Sequence, residues 1–300
     1  MRQIQIKKLH TFMGHNDSLY CLEKLDDHRF FSAGSDGMVV LWDLISPDEG
    51  EVIAKVEGSV YSMALDSDSN CLFIGENNEG IHKIRLDQKK ETGSIQTGNH
   101  QIFDLKFRNE TLWGALESGE IIQLSSNLDV INRVKISDKR ARCIDFFDNC
   151  LAVGFSDNTI KILDESLNVT DELHGHKNSV FTSKYHPSGK YLISGGRDAT
   201  LKVWDTSENY VLRESIAAHL YTINSIVFNE TGKYFVTCSM DKSIKLWNAH
   251  NFTLMKVLDK HRHAGHGNSV NKLLWMKYHD LLVSCSDDRT ISVWDLKLEE

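Results

Sequence analysis

The sequence of 300 residues predicts an all-β fold assembled from one recurring unit. The first observation is a group of residues that returns at matched spacing: His15, Asp36, Trp42 and Asp43; His176, Asp198, Trp204 and Asp205; His219, Asp241, Trp247 and Asn248; His266, Asp288, Trp294 and Asp295. In each copy the first Asp stands six residues before the Trp, and the His stands 22 residues before that Asp in three copies and 21 in the first. A spacing held over so many residues marks a structural repeat. The second observation is short alternation of apolar and polar residues, as in Val60 to Leu65 and Ile102 to Phe107, which has the period of a strand. The third is a chain with only two Pro and no low-complexity tract, so that nothing reads as a linker.

Taken in order, the elements fill the chain. Alignment on the turn glycine and the apolar strand positions places three degenerate copies between the first and fifth, with Arg85, Leu124 and Leu163 where Trp stands elsewhere. The marks fall at 42, 85, 124, 163, 204, 247 and 294, which leaves no room for a second domain in 1–300. Within the fifth copy, Val180 to Tyr185 alternates as a first strand and His186-Pro187-Ser188-Gly189 is turn chemistry. Tyr191 to Gly195 and Thr200 to Trp204 are the next strands, and an outer strand follows each Trp-Asp. Four residues remain after Leu296, so the seventh copy has no outer strand of its own, while a strand-like stretch at 3–9 is unassigned.

These residues and spacings resemble the WD-repeat β-propeller family. The resemblance implies a single seven-bladed β-propeller with four antiparallel strands per blade, in which strand 3–9 completes the seventh blade and closes the ring. Closure of that kind leaves no long free edge.

Composition sets further expectations. At 41% hydrophobic the chain can bury a large core, yet no apolar run reaches the roughly 18 residues of a membrane span. The N-terminus lacks an apolar stretch suited to a secretion signal. Cys21, Cys71, Cys143, Cys150, Cys238 and Cys285 fall in expected strands without a C-x-x-C pair, which suits free thiols in a reducing cytoplasm. A net charge of −8 opposes binding to nucleic acid. A monomeric, cytoplasmic ring with no membrane contact is the expectation.

Four residues before each full-copy Asp stands a hydroxyl: Ser32, Ser194, Thr237 and Ser284. The resemblance implies a buried chain in each of these blades, from Trp N–H to hydroxyl, hydroxyl to His, and His to Asp. Donors and acceptors balance in such a chain. The same residue types make a hydrolase triad, but they recur four times and the Trp occupies the oxygen that a nucleophile needs free. No catalytic residue is therefore expected. His261, His263 and His266 are closely spaced, but His266 belongs to a blade network and two imidazoles are too few for a closed metal site unless Asp259 or Asp287 joins them. No metal site and no cofactor are expected.

In the family resembled, partners are gripped on the narrow top face, three and five residues after the His and just before the turn Asp. The fifth positions are Tyr20, Tyr61, Phe103, Arg142, Phe181, Asn224 and Asn271; Arg140 is a third-position residue, and Arg197, Met240 and Asp287 precede turn residues. Aromatics and Arg carry much of the energy of interfaces. These aromatics either present a binding surface or pack between blades. The reading is a non-catalytic scaffold for a protein or peptide, acidic ones among them. The alternatives are a methyl-lysine or other cation reader using Tyr20, Tyr61, Phe103 and Phe181 as a cage, and an enzyme or metal protein built in the channel, for which the top-face set supplies only Glu117 and Asp287.

Overall fold

The computed structural model describes residues 5–47 and 49–297. They form seven four-stranded antiparallel sheets, with one helical turn at Lys260–His263 and two short 3-10 segments. The seven-bladed, all-β propeller expected from the repeat is the fold. The inner strands of blades one to seven are Leu19–Lys24, Val60–Asp66, Ile102–Arg108, Ala141–Phe147, Val180–Tyr185, Ile223–Phe228 and Val270–Met276. Each packs against the next and the last packs against the first, which makes the ring. The apolar cores lie between neighbouring blades; Phe31, Val39, Val60, Leu72 and Ile74, for example, fill the space between blades one and two. No helix among the described residues is long and apolar enough to cross a membrane.

The outer strand of blade seven comes from the other end of the chain. It spans Lys7–Phe12 and pairs antiparallel with Ile291–Asp295. The strand expected at 3–9 therefore begins later and runs further; residues 3 and 4 lie outside the described residues. The register extends to Phe12 opposite Ile291, and Phe12 is buried with Phe30 and Trp42, so burial carries the strand past Leu9.

A second correction concerns blade two. In the other six blades the mark faces the second strand twelve residues earlier: Phe30 opposite Trp42, Leu112 opposite Leu124, Leu151 opposite Leu163, Leu192 opposite Trp204, Phe235 opposite Trp247 and Leu282 opposite Trp294. In blade two the matching pair is Leu72 and Ile84. Ile84, not Arg85, takes the Trp position and is buried in the core between blades one and two, while Arg85 reaches outward to Asp87. The turn explains the slip. Elsewhere the residue five before the mark adopts a left-handed conformation, as Gly37 and Gly119 do, whereas in blade two Gly80 adopts it one residue later, at φ +103°. Alignment on the glycine thus misses the register by one.

Candidate functional site

One local device builds the channel mouth. In every inner strand the register with the second strand slips by one residue, and the unpaired residues are Tyr20, Tyr61, Phe103, Arg142, Phe181, Asn224 and Asn271. A β-bulge releases its extra residue from the ladder and re-aims the side chain. All seven are half-buried and all line one cavity of about 410 Å³ at the centre of the ring. The fifth-position set that the family resemblance implied is thereby brought together.

The contacts within this belt are specific. Tyr20 and Tyr61 stack with ring centroids 4.8 Å apart, and Phe103 lies 5.9 Å from Tyr61. Arg142 is held between two rings, its guanidinium 4.2 Å from the Phe103 centroid and 4.8 Å from that of Phe181. Its Nε donates to Ser156 Oγ at 2.9 Å. Burial and the nearby Arg140 bring its pKa down to about 10, so it stays charged at neutral pH. Across the mouth, Asn224 donates to Val270 O at 2.9 Å, and Asn271 donates to Leu19 O and to Asp287, both at 2.7 Å. The aromatics thus face the cavity and also pack against one another across blades.

The remaining predicted top-face residues do not line the cavity. Arg140 is exposed and pairs with Glu117 at 2.8 Å. Arg197 is exposed on the rim. Met240 is exposed, as are Leu220 and Tyr221, and the backbone N–H of Met240 donates to Thr222 O at 3.0 Å. Asp287 supports Asn271 from behind.

Below the mouth lie charged residues that the repeat did not single out: Glu23, Asp104, Lys106, Lys184 and Lys272. Three of these, Glu23, Lys106 and Lys184, stand three residues after a belt position, a signal available in sequence as charges inside otherwise apolar strands. Lys106 lies 3.4 Å from Asp104, whose other oxygen accepts the Ile144 N–H at 2.9 Å. Burial pushes the Asp104 carboxyl up, but Lys106 and Lys272 outweigh it and hold the pKa low. Lys106 is the reverse case, with burial overcome by Asp104 and Glu23, so that its pKa is raised. Glu23 is pushed up by burial, moderated by Lys106 and Lys272.

The four polar chains have the expected connectivity. Trp42, Trp204, Trp247 and Trp294 donate to Ser32, Ser194, Thr237 and Ser284 at 2.7, 2.9, 3.0 and 2.9 Å. Each hydroxyl lies 2.8 Å from Nε2 of His15, His176, His219 or His266. Nδ1 then meets Asp36, Asp198, Asp241 or Asp288 at 2.9 to 3.0 Å. Each carboxylate also accepts the backbone N–H that follows its His. Burial raises the carboxyls of Asp198, Asp241 and Asp288, but the hydrogen bonds from His and backbone outweigh it and hold them well below the usual range. Every hydroxyl oxygen is already bonded to Trp and His, so the arrangement serves packing.

The family model for the WD domain, G-beta repeat, matches residues 6–43, 167–205, 211–248 and 257–295, the four copies with full signatures. The crystal structure of the WD40 β-propeller domain of Doa1 superimposes with a TM-score of 0.85 over 97% of both chains at 18% identity, a likeness of fold. Nuclear distribution protein nudF of Aspergillus niger is 30% identical over 72% of this chain and 46% of its own length. The transcription factor unc-37 of Caenorhabditis elegans is 24% identical over 60% of this chain and 30% of its own. The chain spans less than half the length of these relatives.

Proposed function

The chain belongs to the WD40-repeat family, and from that premise we propose that it is a non-catalytic scaffold whose channel mouth grips an acidic segment of a protein or peptide. WD40 propellers generally bind proteins or peptides. The observation that carries the finer reading is local charge. The protein as a whole has a net charge of −8, yet its cavity is lined by Arg142, Lys106, Lys184 and Lys272 against Glu23 and Asp104, with Asp145 paired to Lys184 from behind, which leaves one positive charge in excess. A cationic recess in an anionic protein selects for carboxylates and guides them in.

Arg142 is the proposed anchor. Its two faces are covered by Phe103 and Phe181 and its Nε is taken by Ser156, which leaves the outer N–H edge for a ligand carboxylate. The same stacking argues against a methyl-lysine cage, because the protein's own cation fills the space between two of the rings and Tyr20 lies stacked on Tyr61. Leu220, Tyr221 and Met240 add an apolar lip on blade six. Six free cysteines accord with a reducing, cytoplasmic setting, which forms part of this reading.

The test uses wild-type and Arg142→Glu proteins as paired baits, followed by direct titration of any partner that only the wild type retains. The expected outcome is a loss of about 2 kcal/mol or more of binding for Arg142→Glu and for Phe103→Ala, each still folded at the assay temperature, with the Arg142→Glu loss shrinking as salt rises. A partner held equally well by both proteins moves the site off the channel.

A further inference from the structure

We propose that blade two carries a binding site for one divalent metal ion, of the Zn²⁺ type, with Glu76, Glu79 and His82 as ligands and Glu91 behind the histidine. Glu76 ends the second strand, Cys71–Glu76; Glu79 lies in the turn; His82 is in the third strand, Gly80–Arg85. The spacing Glu-x-x-Glu-x-x-His folds back on itself across one hairpin. One ligand atom from each side chain comes within 4.8 Å of the others.

Unpaired buried groups point to a ligand here. His82 is 6% exposed, and neither of its ring nitrogens has a hydrogen-bond partner. Glu76 is fully buried; one carboxylate oxygen accepts the backbone N–H groups of Asn78, at 2.9 Å, and Glu79, and the other has no partner. Native proteins seldom leave such groups unsatisfied, least of all a charge. Among the described residues no Lys or Arg forms an ion pair with Glu76, Glu79 or Glu91, so a cation is the missing partner. The unpaired Glu76 oxygen lies against Gly58, where a Cβ would stand 1.6 Å away, so a larger residue there would displace this carboxylate.

The two histidine nitrogens face different carboxylates. Nε2 lies 3.8 Å from Glu79 and Nδ1 lies 3.3 Å from Glu91. A metal-bound imidazole commonly gives its other N–H to a carboxylate, which fixes its tautomer and raises its basicity. Glu91–His82–ion has that arrangement. One imidazole with two carboxylates and water suits Zn²⁺ or Mn²⁺ better than Ca²⁺, which takes oxygen ligands alone. Glu79 is half exposed, which gives the ion an entry path and lets this carboxylate close in on it. The histidine-rich stretch His261 to His266 is not such a site: Asp259 caps the helical turn there and His266 is committed to Ser284 and Asp288.

The test is competition for Zn²⁺ between a chromophoric chelator and the chelator-stripped full chain, with Mn²⁺ and Ca²⁺ in parallel and Tm measured with and without ion. One equivalent of Zn²⁺ should bind and raise Tm. His82→Asn and Glu79→Gln should each lower affinity by at least about ten-fold, and Glu91→Gln by about 10–100-fold, whereas a His261→Ala, His263→Ala double variant should bind as wild type. Glu79 has an exposed side chain, so that variant decides the matter even if His82→Asn does not fold. Wild type and Glu79→Gln with equal Zn²⁺ uptake and equal Tm shifts overturn the proposal, as does uptake lost only in the His261, His263 variant.

Discussion

Blade six and blade two answer the same packing problem with different polar residues. In blade six the third strand brings Trp247 to Thr237, and His219 and Asp241 complete a chain in which every buried donor has an acceptor. In blade two Ile84 takes the Trp place, no hydroxyl or histidine completes such a chain, and Glu76 and His82 are buried with atoms unpaired. Polar groups inside a blade are stabilising as a closed set and costly as an open one. Blades three and four, like blade two, carry an apolar residue at the mark, Leu124 and Leu163.

The largest expected effect lies in blade seven, which has both a polar chain and a borrowed outer strand. Removal of residues through Phe12 bares the edge of Ile291–Asp295 and empties part of the core around Trp42, and should lower Tm by about 10 °C or more. Thermal unfolding of the truncated protein checks this, and an unchanged Tm would show that blade seven does not depend on that strand.

Next come the carboxylates. Asp241→Ala and Asp198→Ala should each cost about 2–4 kcal/mol by leaving a buried imidazole and a backbone N–H unpaired. Glu76→Gln in blade two, measured without metal, should be near neutral, because the carboxylate has no cationic partner and the amide oxygen can still accept the Asn78 and Glu79 N–H groups. Urea unfolding of the three variants breaks the comparison if Glu76→Gln proves as harmful as the others. Trp204→Phe keeps most of the ring but deletes the donor to Ser194, and should cost about 1 kcal/mol in the same assay.

The smallest expected effect is on pH dependence between 7 and 5. Burial lowers the pKa of His15 and His219 despite Asp36 and Asp241 beside them. With the folded pKa below the unfolded value of about 6.5, the unfolded chain takes up protons first as pH falls. Stability from these groups is present above about pH 6.5 and declines below it; the depressed Asp198, Asp241 and Asp288 add a second loss below about pH 3.9. Tm at constant ionic strength should fall from pH 7 to 5, less steeply in His219→Gln. A Tm that rises over this range contradicts the assignment of neutral imidazoles.

Sequence by itself determined the repeat and the number of blades, and through the family resemblance that its motifs carry it also pointed to the polar chains of blades one, five, six and seven and to the seven belt residues, because each of these sits at a fixed spacing along a strand or across one hairpin. Short-range geometry of that kind is written into residue order. Tertiary structure decided the rest. Whether Ile84 or Arg85 faces the core turned on which residue of one turn goes left-handed, and the belt side chains face the channel because seven bulges turn them there. The lumen charges leave a trace in sequence as charges within apolar strands, but their convergence, like that of Glu76, Glu79, His82 and Glu91, exists only when strands and blades are brought together. Their meaning lies in which neighbour, if any, compensates each charge, and packing rather than order supplies that neighbour.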